Sequence, residues 1–357
     1  MPFTAVDAIT PAIEHTKQQL FRPFRLGQWT RLAVVGLLAG ELGSSGLNRS
    51  NFSPTRHGGG GFGGLDLGVV IGLIGVIVVA ALVIGIIFMY ISSVMRFVLF
   101  DSVLTRECHI RAGWVRRQGP GLRFFLWLLV YLVVVLAAMT VLIGLPLGFA
   151  YAAGWLTHPS AHMVPLVLGG ILLFFVLLIF FVVTAVIGVL TKDFVVPQMA
   201  LEEISAFEAW RRLWPIIGAE KGRFAGYIGM KIVMSIAAGI MVFMAALILG
   251  LFLAVPTVGL GILAVMTGKT AGLTWDAYTI TLAIVVGSIL LAIFLYLVAL
   301  ISVPLIVFFP AYSMYFFAAR YPALSRALYP APPVPLASQV PPPYEPPPLP
   351  PTPEPIG

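Results

Sequence analysis

Five stretches of this chain, Val69–Met95, Leu126–Ala152, Val164–Leu190, Ile232–Met266 and Thr281–Val307, contain no Asp, Glu, Lys or Arg. Each exceeds the roughly 20 apolar residues with which an α-helix crosses a bilayer. A sixth, weaker run at about Leu26–Leu42 has Arg31 and Glu41 within it, and is expected to be tilted, thin or partly re-entrant. Overall, 60% of the residues are apolar and 10% charged, far from the balance of a water-soluble domain. The chain therefore reads as an all-α integral membrane protein with six transmembrane helices. Its single cysteine, Cys108, excludes an internal disulfide framework.

The polar stretches between these runs repeat. Sliding Phe194–Tyr227 back by 96 positions sets Glu203 on Glu107, Trp210 on Trp114 and Arg212 on Arg116. After a four-residue length difference, Arg223-Phe224 falls on Arg123-Phe124. A fainter copy lies near the N-terminus, where Ala12-Ile13-Glu14 matches Ala206-Phe207-Glu208. Each copy ends with an arginine four residues before an aromatic: Arg25/Trp29, Arg123/Trp127 and Arg223/Tyr227. The pattern predicts three tandem parallel helical hairpins joined by cytoplasmic amphipathic connectors. The divisions are an N-terminal amphipathic segment (1–25), hairpin 1 with a Gly-rich outer loop at 43–64 (26–100), and connector plus hairpin 2 (101–196). Connector plus hairpin 3 (197–310), an amphipathic end (311–329) and a disordered Pro-rich tail (330–357) complete the chain.

Charge sets the expected orientation. Of the 21 Lys and Arg residues, only Arg49, Arg56 and Lys269 fall in the loops opposite the connectors. The positive-inside rule then places both termini in the cytoplasm, in a bacterial cytoplasmic membrane. The net charge of +7 is spread along the span borders, so no nucleic-acid binding is expected.

Local patterns add detail. Thr4–Leu20 reads as an interfacial helix with Val6, Ile9, Ile13 and Leu20 on one stripe. In the connector Asp101–Leu122, Glu107 and Arg111 are spaced to pair on a helix. Gly68/Gly72 and Ala81/Gly85 favour close helix packing. Pro146 predicts a bend, and Pro256 with the glycines after it a break that leaves an extension or a partial re-entry. Gln198–Trp214 is expected to be one helix, with Ala200, Ile204, Phe207, Trp210 and Trp214 on one arc opposite Ser205, Glu208 and Arg212. Tyr312–Leu328 reads as a final amphipathic piece.

No set of nucleophile, base and orienting acid can be assembled. Thr267-Gly268-Lys269-Thr270 fails as a phosphate loop, because Leu263 stands where that motif needs glycine. His158 and His162 flank Pro159 in a turn, a poor metal pair. Cys108-His109 places thiol and imidazole on adjacent residues, which seldom face each other. Thr140, Ser235 and Ser288 read as packing hydroxyls. Pro341-Pro342-Pro343-Tyr344 matches a WW-domain ligand by composition alone. No enzyme activity, metal or cofactor is expected.

What remains is cations beside indoles: Trp114 with Arg116 and Arg117, Trp210 and Trp214 with Arg211 and Arg212, and Arg223. These are the candidate contacts for anionic headgroups or an unknown protein partner. The segment from Ala12-Ile13-Glu14 to Trp29, the connector Phe194–Tyr227 and the six-span layout resemble the membrane domain of glycerophosphodiester phosphodiesterases and YciC-like inner-membrane proteins of bacteria and archaea. The resemblance covers roughly residues 5–320. It implies a shared architecture without the family's separate catalytic barrel, for which this chain has no room. The leading expectation is a non-enzymatic protein that organises lipid or partner proteins through its connectors. The rival is a transporter with pseudo-threefold hairpin repeats, which lacks the charged intramembrane cavity such a path uses.

Overall fold

The computed structural model describes residues 4–41, 67–270 and 277–329. The Gly-rich loop, Arg49, Arg56, Trp275 and the Pro-rich tail lie outside them. The helices are α1 (Ile9–Phe21), α2 (Leu26–Leu38), α3 (Leu67–Thr105), α4 (Ile110–Ala152) and α5 (Met163–Leu190). A π-turn (Thr191–Val195) leads into α6 (Val196–Glu202), α7 (Ala206–Ala219), α8 (Lys221–Thr270), α9 (Ala277–Ala318) and α10 (Pro322–Leu328). Among the described residues all regular structure is helical, and five helices (α3, α4, α5 with its continuation, α8 and α9) are long and apolar enough to cross a membrane.

The buried core gathers at one end of the bundle. There α1, α6, α7 and α10 close over the ends of the long helices and form a cap. Elsewhere the long helices stay open. The most apolar windows of α3, α4 and α5 are 0% buried inside the fold, and those of α8 and α9 only 11% and 6%. The expected small-residue packing does not occur, since a Cβ placed on Gly72 or Gly85 would meet nothing within 4 Å. Close approach happens at the capped end instead. A Cβ on Gly36 would stand 2.4 Å from Ile306 Cγ2, and one on Gly121 would stand 3.1 Å from the Val94 Cα. Toward the open end, α4 and α5 part around an apolar cleft of about 440 Å³ lined by Leu145, Pro146, Phe149, Trp155, Gly169 and Gly170.

Several boundaries differ from the sequence reading. Helix α2 has 13 residues, about 20 Å of rise, against a hydrocarbon thickness of about 30 Å. It runs antiparallel to the second half of α3: Gln28 Nε2 donates to the Arg106 carbonyl (2.7 Å), and Arg96 Nη2 donates to the Ala39 carbonyl (2.9 Å). The expected connector Asp101–Leu122 shrinks to the turn Arg106–His109, because α3 and α4 continue as packed helices beyond their apolar stretches. Glu107 sits in that turn, 3.9 Å from His109, so the helical Glu107–Arg111 pair does not form. Helix α4 passes through Pro120 and Pro146.

The single helix expected over Gln198–Trp214 is split at Glu203, which adopts a left-handed conformation (φ 54°). Arg123 Nη1 donates to the Glu203 carbonyl (2.6 Å), and the Ser205 hydroxyl caps α7 by accepting from the Glu208 N–H (3.3 Å). Helix α8 continues through Pro256 rather than breaking. The proline removes one N–H, and the Thr257 hydroxyl donates to the Leu253 carbonyl (2.8 Å) on the same turn. The final amphipathic piece begins as α9 itself: Tyr312, Phe316 and Phe317 are fully buried in the cap before α10 starts.

Helix α1 lies along the capped end of α9 and buries Ala8, Ala12, His15, Thr16, Gln19 and Leu20. Of its expected apolar stripe, Leu20 is buried and Ile9 partly so, while Val6 and Ile13 remain exposed. Gln19 Nε2 donates to the Ser102 carbonyl (2.8 Å), and the Tyr312 hydroxyl donates to the Ala5 carbonyl (3.1 Å). His15 Nε2 donates to the Val103 carbonyl (2.8 Å), which leaves Nδ1 to accept from the Tyr315 hydroxyl (3.2 Å). That arrangement holds the imidazole neutral. Burial lowers the His15 pKa below its ordinary 6.5, an effect opposed by the Val103 carbonyl and reinforced by Arg106. Below pH 6.5 the unfolded chain binds a proton that the folded one refuses. Stability from this group is therefore full above that pH and declines as pH falls toward the lowered folded value. Thermal unfolding at pH 7.5 and 5.5 is expected to show this loss in the wild type and a smaller one in His15→Gln.

Candidate functional site: a charged cluster beneath the cap

Three of the long segments bring a charge to one level of the bundle. At the end of α5 the π-turn carries Lys192 and Asp193, a wide-turn geometry that often marks functional positions. Asp193 is 8% exposed at its side chain. It accepts from Lys231 Nζ at 2.7 and 2.5 Å and from the Tyr227 hydroxyl at 2.9 Å. Tyr227 and Lys231 are four apart on α8 and so share a face. The Tyr227 ring is stacked against Phe316 (4.5 Å between centroids) and Tyr312 (5.2 Å), which fixes its hydroxyl. From α3, Arg96 lies 5.7 Å from the centre of the Phe124 ring, and its Nε is buried without a hydrogen-bond partner.

Arg96, Lys192, Asp193 and Lys231 line a cavity of about 30 Å³, together with Glu41 beyond α2, Pro197 of α6 and Pro310, Ser313 and Met314 of α9. The helix between Arg96 and Thr105, like that between Lys221 and Lys231, rises about 15 Å. The cavity therefore lies well outward of the helix ends. On α8 exposed apolar surface begins beside it, at Ile232 and Val233, while on α3 it begins at Phe88, about two turns beyond Arg96.

The sequence reading missed this cluster. It counted Arg96, Lys192 and Lys231 as separate flanking charges, each the first beyond a charge-free stretch. The available signal was that several span borders carry a charge at the same register and that one border adds a carboxylate, Asp193.

The predicted contact residues divide. Arg117 is buried: its Nε and Nη2 donate to the two oxygens of Asp101 (2.6 and 2.7 Å), and Nη1 to the Ala200 carbonyl (2.7 Å). It ties α3, α4 and α6 together and offers nothing to a lipid. Arg212 spans the α6–α7 break by pairing with Glu202 and with Glu208 (3.1 Å). Hydrogen bonds from Arg212, opposed by slight desolvation and joined by one from Arg211, hold the Glu208 carboxyl below its usual range. Trp210 is half-buried, with its indole N–H enclosed and unpartnered.

The others face outward. Arg116 is exposed beside half-buried Trp114, which meets Tyr90 edge-on (6.1 Å). Arg211 is 71% exposed at its side chain and 2.7 Å from Glu208, and Trp214 is 70% exposed. Arg223 lies 3.4 Å from Glu220, which also accepts from Arg320 Nε (2.7 Å). On α7, Phe207, Arg211 and Trp214 form an outward stripe, while Ala209 and Leu213 pack inward.

Cys108 is buried, and desolvation raises its thiol pKa, keeping it protonated. Among the described residues, no three His, Cys, Asp or Glu side chains come together as a metal site. Neither a curated protein nor a solved structure matches the chain. A family model does match, over residues 3–326, an interval that takes in every described helix except the last residues of α10. The chain belongs to DUF7544, a family of unknown function.

Proposed function

We propose that this is a non-enzymatic membrane protein that organises lipid at the inner leaflet of a bacterial cytoplasmic membrane. The observation that carries this reading is the division of the fold. Its specific packing is confined to the capped end, while the apolar windows of the spans stay open to their surroundings. The outward stripe Phe207, Arg211 and Trp214 on α7 supplies apolar rings beside a cation, the combination suited to a headgroup layer. The cleft between α4 and α5 has room for acyl chain. A transporter is the poorer reading, because the charged cavity between α3, the π-turn and α8 is small and lies at one end of the spans.

The positive-inside count makes the capped end cytoplasmic. Contacts of α1 with α9 support both chain ends lying on that side. Helix α2 leaves the capped end alongside α3, which supports a sixth crossing beginning with α2. The pairs α4/α5 and α8/α9 each leave and return to the capped end, in keeping with tandem hairpin units. Kinship with the phosphodiesterase membrane domain and YciC-like proteins belongs to the same proposal.

An Arg116→Gln/Arg211→Gln variant tests it, since both side chains are exposed and neither holds the fold together. Each cation near an anionic surface contributes about 1 kcal/mol, roughly fivefold in binding. Mass spectrometry of lipid retained through purification is expected to show at least a roughly fivefold loss of anionic lipid per protein. An unchanged amount in correctly inserted protein would remove the proposal.

A further inference from the structure

We infer that the cavity between α3, the π-turn, α8 and α9 binds a phosphate oxyanion, supplied by an inner-leaflet lipid headgroup or by free phosphate. This deepens the lipid reading and rests on it only for the lipid source. The first argument is donor excess. Lys231 and Tyr227 spend their donors on Asp193, and one Arg96 nitrogen serves the Ala39 carbonyl. Arg96 Nε remains buried and unpartnered, and half-buried Lys192 lines the same cavity. A buried donor without an acceptor is costly, more so when charged.

Charge gives the same answer. Arg96, Lys192 and Lys231 face the cavity with two carboxylates, Asp193 and Glu41, so one positive charge is left over. Asp193 is already neutralised through Lys231 and the Tyr227 hydroxyl, and it turns little of its negative charge toward an incoming anion. Arg96 and Lys192 also repel one another, a strain that an anion between them would relieve. A cation would meet three like charges.

Size and depth narrow the occupant. About 30 Å³ admits water-sized groups, such as the oxygens of an oxyanion, and not a bulky solute. The cavity stands beside the edge of the exposed apolar surface of α8, a level that a lipid phosphate can reach.

The test uses the purified protein in dodecylmaltoside micelles, which carry no phosphate, with Lys192→Met as the variant, because methionine keeps the length and removes the charge. One arm titrates inorganic phosphate against chloride at constant ionic strength. The other adds phosphatidylglycerol to the micelles. Thermal unfolding and native mass spectrometry read occupancy. The wild type is expected to gain stability in at least one arm, with at least tenfold weaker binding in Lys192→Met and recovery in Lys192→Arg. The Arg116→Gln/Arg211→Gln variant is expected to keep this response, so loss of lipid at the α7 surface remains distinguishable from loss at the cavity. Saturation by inorganic phosphate alone makes free phosphate the occupant. A response to phosphatidylglycerol alone makes it the headgroup. Either supports the site. A wild type indifferent to both anions overturns it whatever the variant does, as does an equal response from wild type and Lys192→Met.

Discussion

Asp193→Ala is expected to be among the most destabilising single substitutions in the chain, costing about 3–5 kcal/mol. Among the described residues the carboxylate is the sole acceptor for both Lys231 Nζ and the Tyr227 hydroxyl, and its side chain is 8% exposed. Removing it strands an ammonium in a cavity that already holds Arg96 and Lys192. Breaking one side of a buried pair is costly chiefly because the partner keeps its desolvation penalty. A total stability of about 5–15 kcal/mol would lose a large share to this one change. Thermal unfolding in phosphatidylcholine nanodiscs checks it, and Lys231→Met added to Asp193→Ala should restore most of the loss. A single variant within about 1 kcal/mol of wild type would contradict the burial of this pair.

The second large effect is expected at Arg117. Its guanidinium donates three hydrogen bonds that join α3, α4 and the α6 backbone, and its side chain is 6% exposed. Arg117→Met leaves Asp101 charged and the Ala200 carbonyl without that donor, a loss of about 3 kcal/mol. Asp101 is 19% exposed, so water recovers part of its solvation and keeps the cost at the lower end. Arg211→Gln supplies the control. Its pair with Glu208 lies on the surface, where such pairs contribute about 0–1 kcal/mol. Similar unfolding temperatures for the two variants would show that Arg117 is not the clamp described.

That contrast marks where the sequence stopped being legible. The apolar helices were readable because a charge-free run of that length has few other uses. Their ends were not. At the capped end, helices bury one another's polar residues, so α3 reaches Thr105 and α4 starts at Ile110 across what reads as a connector. Proline misled for a related reason: α8 and α9 carry Pro256, Pro304 and Pro310 within continuous helix. The break at Glu203 had no local signal, since glutamate seldom adopts a left-handed conformation, and the Arg123 bond to its carbonyl comes from a distant helix. Tryptophan and arginine spacing located the connector residues without separating the clamp Arg117 from exposed Arg116. The cavity was hidden because its charges are far apart in sequence, and only the packing of α2, α3, the π-turn and α8 brings them to one level.

The embrace of α1 and α9 also sets an order of assembly. His15 and Tyr315 are 300 positions apart, and Ala5 and Tyr312 are 307 apart. At ribosomal speeds of about 5–20 residues per second, α1 waits roughly 15–60 s for the surface that buries it. Throughout that interval Ala5 and His15 lack their α9 partners, however many spans are already inserted. Closure of the cap is thus a late event in biogenesis. A chain stalled before α9 would display an unburied α1 face to the chaperones and proteases that survey nascent membrane proteins.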